Sequence, residues 1–229
     1  MFYKTYITFI CSDKNLILFL KLKSMKPSID ELKNEIGYKL IKSVPFENLV
    51  PFIFDNMKPN TKTMVFFYFF LSICGVSVSI FLMHPGYTFG QLFWYGFAGF
   101  ISSFTIFVPI HELLHGFALK MYGAKGLKYG KDLKQMMFYV TVNDFIMNRK
   151  EFSVMALMPF AVITLGLLIL EWILPDQFIW FFLSAIFWHA TMCIGDFSML
   201  AFYERNKHLE MYTFDDADKK ITYYYSKLS

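Results

Sequence analysis

Charged side chains are scarce in this chain of 229 residues, at 17% of the total, whereas a soluble domain usually carries about a quarter. The net charge of +4 is too small to indicate a polyanionic partner, so no nucleic-acid binding is expected. Cysteine is also rare, and Cys11, Cys74 and Cys193 lie far apart without a C-x-x-C pair. This spacing argues against a disulfide framework and against a cysteine zinc knuckle.

Hydrophobic residues, in contrast, make up 56% of the chain. A bilayer core needs about 20 apolar residues of helix to cross it. Four runs are long enough, and they cover residues 64–83, 91–119, 152–174 and 177–203. Four such runs leave too little polar surface for a soluble fold, so membrane lipid is a predicted partner.

The basic residues predict the orientation of these runs. All 22 Lys and Arg fall in residues 1–62, 120–151 and 204–229, and the connections 84–90 and 175–176 have none. Because cytoplasmic loops carry the excess of Lys and Arg, we predict an all-α membrane protein with four transmembrane helices and both termini in the cytoplasm. The predicted divisions are a cytoplasmic segment 1–62, a transmembrane domain 63–203 and a cytoplasmic tail 204–229.

The segments outside the four runs give weaker signals. Lys4, Asp13 and Lys14 make residues 1–24 a poor signal peptide, and Met25 is a second candidate for the native start. Four apolar residues after it share a helical face, namely Ile29, Leu32, Ile36 and Leu40. The apolar stretch FENLVPFIFDNM is either an interfacial helix on the cytoplasmic leaflet or a helix packed on the basic loop.

Two further segments have strand composition. Within 120–151, the stretches GLKYG and MMFYVTVND are rich in Val, Thr, Tyr and Phe and predict a small cytoplasmic β-hairpin between helices 2 and 3. The chain ends in KKITYYYSKLS, which is either a strand or a disordered end.

The second run contains an H-E-x-x-H motif, formed by His111, Glu112 and His115. On a helix, two imidazoles four residues apart lie on one face and can chelate one Zn²⁺, and the Glu between them can take a proton from water. A lone His on an apolar helix is usually a packed side chain. Three ionisable groups in one turn of a membrane span are costly, however, and therefore indicate function.

A catalytic zinc takes three protein ligands, and the fourth run offers the third. His189, Cys193 and Asp196 share one helical face there. At 1.5 Å per residue, His111 and Asp196 both lie roughly 30 Å from the outer end of their helices, and His189 lies about 10 Å nearer the membrane centre. Asp196 is therefore the predicted ligand, unless it is only a helix-end carboxylate. His189 is an alternative ligand, but it could also support or gate the site or simply be a packed side chain. Cys193 is the weakest candidate for a metal ligand.

The stretches PIHELLHGFALKMYGAK, NRKEFSVMALMPF and HATMCIGDF together resemble the putative zincin peptidase family of bacterial membrane proteins, over roughly residues 25–225. The resemblance implies a multi-pass metallopeptidase of the bacterial cytoplasmic membrane. The plan is also similar to that of site-2 protease-type intramembrane metalloproteases, in which an H-E-x-x-H pair and an Asp on a later helix hold zinc. There Gly follows the Asp, whereas here Gly195 precedes Asp196.

The sequence thus predicts a zinc-dependent membrane-embedded metalloendopeptidase, with Glu112 as general base and a peptide or membrane protein as substrate. His189 and Asn143 are candidates for a further hydrogen-bond donor to the reacting carbonyl. The segment 136–143 is a candidate edge strand for an extended substrate. The alternatives are a membrane protein that binds or transports metal without proteolysis, and a catalytically silent scaffold. The oligomeric state is not predicted.

Overall fold

The structure, a computed structural model, describes residues 26–83, 86–132, 134–135 and 137–228. Expectations for residues 1–24, for Met25 and for Met136 lie outside the described residues. The helices are α1 (Ile29–Lys33), α2 (Leu49–Asn56), α3 (Lys62–Leu82), α4 (Phe89–Ser102), α5 (Val108–Met121), α6 (Arg149–Ile173), α7 (Ile179–Met192) and α8 (Ile194–Arg205). The strands are β1 (Tyr38–Pro45), β2 (Lys128–Asp132), β3 (Met137–Thr141), β4 (Met147–Asn148), β5 (Met211–Asp216) and β6 (Ile221–Lys227).

Most of the described chain is helical, and its long helices match the predicted apolar runs. Residues 62–80, 89–121 and 149–173 each form a helix that is long and apolar enough to cross a membrane. The pair α7 and α8, bent by 45°, makes a fourth if it is counted as one span. The outer faces of these helices carry large apolar side chains that are more than half exposed, among them Phe69, Val76, Ile80, Trp94, Leu165 and Ile169.

Helices α4 and α7 pack closely against each other. A Cβ atom on Gly99 would lie 2.6 Å from the carbonyl oxygen of Phe181, so glycine is required for the two backbones to approach. Across the same contact, Ser184 Oγ donates to Gly96 O at 2.7 Å and the Trp180 indole donates to Leu92 O. These bonds satisfy polar groups that would otherwise be costly in an apolar environment.

Between α4 and α5 the helix widens into one π turn, Ser103–Phe107. Pro109 follows in the first turn of α5 and has no backbone N–H to donate to the preceding turn. Ser103 Oγ donates to Gly99 O at 2.9 Å inside this turn. Such π turns are frequent at functional sites, and this one comes directly before the H-E-x-x-H segment.

A four-stranded antiparallel sheet, in the order β1-β6-β5-β4, joins the two ends of the described chain. The expectation of an all-α fold was therefore incomplete. Helix α1 ends at Lys33, and positive φ angles at Glu35 (54°) and Gly37 (72°) turn the chain into β1. The predicted apolar face is thus divided between a helix and a strand. Ile29, Leu32 and Leu40 share one apolar cluster with residues of the sheet, whereas Ile36 between them is exposed.

The predicted hairpin is present as β2 paired with β3, with Tyr129 opposite Val140. The FENLVPFIFDNM stretch forms a 3₁₀ turn followed by α2. Its buried Phe52 packs against Phe202 of α8 and Tyr224 of β6, so α2 lies on the helix–sheet junction. Phe46 at the start of the stretch also packs against Tyr139 of the basic loop, as one of the two readings of this segment expected. The final stretch is the strand β6, which resolves the two readings of that segment in favour of a strand.

Candidate metal centre

Three side chains from two helices converge where the long helices meet the sheet. His111 Nε2 lies 2.9 Å from His115 Nε2 and 3.1 Å from Asp196 Oδ2, and His115 Nε2 lies 3.3 Å from Asp196 Oδ1. All three side chains are buried. Ligand atoms about 2.0–2.1 Å from a tetrahedral zinc lie roughly 3.3 Å from one another. The spacing and the donor chemistry of this group therefore fit a zinc ion.

The local structure explains why these residues meet. His111 and His115 are one turn apart on α5 and share a face. The helix break at Cys193 separates α7 from α8 and places Asp196 in the first turn of α8. A carboxylate in the first turn of a helix is stabilised by the exposed backbone N–H groups there. The break thus turns the carboxylate towards α5 and lowers the cost of its burial.

The tautomer of His115 follows from its other ring nitrogen. His115 Nδ1 lies 2.9 Å from the carbonyl oxygen of Met155 on α6. Because a carbonyl can only accept, Nδ1 carries the proton, and in the neutral ring Nε2 keeps a free lone pair towards His111 and Asp196. Hydrogen bonds of this kind orient the His ligands of metal sites.

His189 lies behind His111 rather than beside Asp196. Its Nε2 atom is 3.4 Å from His111 Nδ1, on the opposite side of the His111 ring. Cys193 Sγ is 3.9 Å from the same Nδ1 atom and 3.8 Å from His189 Nε2. His111, His189 and Cys193 therefore form a second group whose donor atoms are close enough to share a metal ion. Both groups contain His111, but only the first includes both His of the motif.

Glu112 and Asn143 have different positions relative to this centre. Glu112 is half-buried and lines the same cavity as His111, His115 and Asp196. Among the described residues, no hydrogen-bond partner holds its carboxylate. Asn143 is not brought to the centre, since its Oδ1 accepts from the backbone N–H of Ala217 at 2.9 Å and its side chain faces the β5–β6 turn.

The cavity has a volume of about 430 Å³ and lies between α2, α5 and the two sheets. Every residue from Met137 to Val142 lines it. Because successive side chains of a strand point to opposite faces, this continuous lining means that the cavity runs along the edge of β3. Within the described residues β3 pairs only with β2, so this edge is open.

Two cavity residues had no signal in the sequence, Asp215 on β5 and Tyr224 on β6. Asp215 is held by two hydroxyl donors, Thr141 Oγ1 and Thr222 Oγ1, each at 2.8 Å. Burial raises the pKa of the Asp215 carboxyl, and these two hydrogen bonds act in the opposite direction. The sequence could not place Asp215, because its neighbours come from strands that are distant in sequence.

The fold and the site define a helical protein with a buried His, His and Asp group of metal-binding type. Residues 104–207 match the family described as "Putative zincin peptidase". The resemblance noted from the sequence motifs is confirmed over this range, which includes both groups of candidate ligands. No curated protein matches the chain, and no solved structure does either.

Proposed function

We propose that this protein is a zinc-dependent, membrane-embedded metalloendopeptidase. The observation that carries the proposal is the convergence of His111 Nε2, His115 Nε2 and the Asp196 carboxylate within 3.3 Å, with Glu112 on the wall of the same cavity. These three side chains would hold the metal. The family match to residues 104–207 supports the same class of reaction.

When bound, zinc activates water and polarises the scissile carbonyl. The chain's own residues supply the proton transfers and the orientation. Glu112 accepts the proton of the attacking water and then passes it to the leaving amine. The hydrogen bond from His115 Nδ1 to Met155 O fixes one ligand ring, and His189 supports the other through His111 Nδ1. The apolar cavity walls limit the access of bulk water to the reacting groups.

The long helices expose many large apolar side chains on their outer faces. Contiguous apolar surface of this kind is unusual on soluble monomers, so it supports the membrane assignment. The strands all attach to one end of the long helices: β1 precedes α3, β2 to β4 link α5 to α6, and β5 follows α8. Lys and Arg occur only at that end of the described chain. We therefore assign it to the cytoplasm, with four spans and both termini inside.

A cysteine placed at Tyr87 should react with an impermeant reagent outside intact cells, and one at Lys131 should not. The reverse pattern would overturn this topology.

The open edge of β3 supports binding of the substrate as an extended strand, since an extended peptide can add to a sheet edge through backbone hydrogen bonds. Proline removes a donor from such a ladder. Tyr139→Pro or Val140→Pro should therefore impair cleavage and leave the zinc content unchanged. Adjacent residues alternate in the direction of their N–H groups, so the two variants should differ in severity. Unchanged turnover in both would contradict strand addition.

The test of the proposed reaction is Glu112→Gln, which removes the base but keeps the shape of the side chain. Membrane proteomes of cells carrying this variant should accumulate uncut a protein that wild-type cells cleave, and the purified variant should retain its metal. Glu47→Gln, at an exposed glutamate outside the cavity, is the matched control and should behave as wild type. If wild type and Glu112→Gln give the same proteome, the peptidase proposal fails.

A further inference from the structure

The cavity that contains the metal centre also contains a carboxylate with no role in the proposed chemistry, Asp215. Its neighbours have basic partners: Asp216 pairs with Lys219 at 3.3 Å and Asp218 pairs with Lys128 at 2.9 Å. Asp216 and Asp215 are adjacent on β5, so their side chains point to opposite faces of the sheet. Among the described residues, Asp215 forms no ion pair with Lys, Arg or His. It is the carboxylate on the cavity side.

The two hydroxyls that hold Asp215 orient it without neutralising it. Thr141 Oγ1 donates to Oδ2 and Thr222 Oγ1 donates to Oδ1. Each carboxylate oxygen can accept a further hydrogen bond. Burial of this charge is costly unless a cation pairs with it, and the raised pKa of the Asp215 carboxyl reflects the same cost. A cation that entered the cavity would therefore gain an oriented, incompletely paired acceptor.

Tyr224 gives an independent indication of a ligand. Its side chain is fully buried and lines the same cavity. Within the described part of the chain, its hydroxyl has no hydrogen-bond partner. The ring is fixed by Phe202 at 5.0 Å and Phe52 at 5.8 Å, so the hydroxyl cannot easily turn elsewhere. An unpaired buried hydroxyl is unfavourable. Because Tyr224 has no exposed surface, a polar group of a ligand would relieve that cost by displacing the side chains that cover the hydroxyl.

The remaining walls near these residues are apolar, with Val140, Met147 and Phe152 among them. The other carboxylates of the cavity, Glu112 and Asp196, belong to the metal centre. A Lys or Arg side chain combines an apolar stem with a cationic head, and this combination matches the apolar part of the cavity that holds Asp215 and Tyr224. An acidic side chain would meet the charge of Asp215, and a purely apolar one would leave both polar groups unpaired.

We propose that Asp215 and Tyr224 form a subsite for a Lys or Arg side chain of an extended peptide bound along β3, so that the substrates are peptides with a basic residue at a fixed distance from the cleaved bond. The binding half of this inference stands on the cavity alone, and the cleavage half rests on the proposed peptidase function.

Binding is tested on full-length Glu112→Gln protein in nanodiscs of phosphatidylcholine and phosphatidylglycerol, whose headgroups lack a primary amine. The probes are labelled alanine–threonine repeat peptides with one central Lys, norleucine or Glu. The repeat lets the central residue reach Asp215 in any register. The Lys peptide should bind about tenfold to a hundredfold tighter than the norleucine peptide, as expected for a charge-assisted hydrogen bond, and the Glu peptide should bind most weakly.

Adding Asp215→Asn should abolish the preference, because it keeps the side-chain shape and removes the charge. Tyr224→Phe should reduce the preference several-fold. Asp218→Asn, at an exposed carboxylate of the same turn, is the control and should preserve it, and zinc content and thermal unfolding report whether each variant is folded. Equal affinities for the Lys and norleucine peptides, or a preference that survives Asp215→Asn, would overturn the subsite.

Cleavage is tested with wild-type protein and a peptide library made by a glutamate-specific protease, which leaves Lys and Arg internal. Basic residues should be enriched at one fixed distance from the cleaved bonds, and this enrichment should disappear with Asp215→Asn. Cleavage without such enrichment sinks the subsite and leaves the peptidase. A Lys preference in binding without any cleavage supports the subsite and sinks the peptidase.

Discussion

The carboxylate Asp196 in the helical part and the carboxylates Asp216 and Asp218 in the sheet part have different partners. In the sheet part, Asp216 and Asp218 each pair with the side chain of an exposed lysine, Lys219 and Lys128, and ion pairs with exposed partners contribute little to stability. In the helical part, Asp196 is buried with two imidazoles and no Lys or Arg pairs with it among the described residues. Burial of such groups in an apolar region is costly. This difference is why we assign the metal centre to the helical group.

The largest expected effect tests this comparison directly. Asp196→Ala should remove almost all zinc from the purified protein, as should His111→Ala or His115→Ala, because two protein ligands hold zinc far more weakly than three. Asp218→Ala removes a surface carboxylate and should leave one zinc per chain. Metal analysis of detergent-purified protein under zinc-replete conditions distinguishes the outcomes. Zinc retained by Asp196→Ala would place the metal elsewhere.

His189→Ala should have a smaller effect on the same centre. It removes the group that faces His111 Nδ1 at 3.4 Å, and loss of a partner of this kind typically weakens metal affinity by about 10- to 100-fold. Competition with a zinc-binding dye measures the affinity. Cys193→Ala is the matched control, since its sulfur touches both rings only at 3.8–3.9 Å. A larger loss in Cys193→Ala than in His189→Ala would favour the second ligand group.

Substitution of two glycines compares the stability contributed by a packed helix face with that of an outer face. Gly99→Ala would place a Cβ 2.6 Å from Phe181 O, and this overpacking should lower the free energy of unfolding by about 1–3 kcal/mol. At Gly75 a Cβ would meet no atom within 4 Å, so Gly75→Ala should be neutral or stabilise the helix by up to about 1 kcal/mol. Denaturant unfolding in detergent measures both. Equal stabilities would contradict the α4–α7 packing.

The smallest expected effect is on the pH dependence of stability, and it differs between Asp215 and Asp216 on the two faces of β5. Burial raises the pKa of the Asp215 carboxyl, so its contribution to stability is present at low pH and is lost as the pH rises through the raised pKa. A hydrogen bond from the backbone N–H of Lys219 lowers the pKa of Asp216, so its contribution is present above the ordinary carboxyl pKa and is lost as the pH falls. On going from pH 4 to pH 7, the Tm of Asp215→Asn should therefore rise relative to wild type, and that of Asp216→Asn should fall. If the Tm values of the two variants changed equally with pH, the opposite pKa shifts of Asp215 and Asp216 would be contradicted.

The sequence predicted the features that depend on local patterns. Apolar runs of sufficient length predicted the long helices, and the i, i+4 spacing with the counted depth of Asp196 predicted which side chains could meet. Strand composition predicted the β2–β3 hairpin. These signals are local because helix length, helix periodicity and turn residues are each properties of a short window.

The sheet and the part of the cavity that contains Asp215 depend on contacts between segments that are distant in sequence. Strand β1 pairs with β6, so that Tyr38 lies opposite Lys227, and no local pattern specifies such a partner. The apolar spacing from Ile29 to Leu40 resembles a helix, but the helix ends at Lys33, and the positive φ angles of Glu35 and Gly37 turn the chain into a strand. Asp215 becomes a cavity residue only because Thr141 and Thr222 reach it from two other strands.

The most direct test of the central claim is the zinc K-edge X-ray absorption spectrum of the purified full-length protein. We expect one zinc per chain with two imidazole ligands and carboxylate or other light-atom ligands at about 2.0–2.2 Å, and no sulfur. A sulfur shell at about 2.3 Å, lost in Cys193→Ser, would show that His111, His189 and Cys193 hold the metal, and not His111, His115 and Asp196.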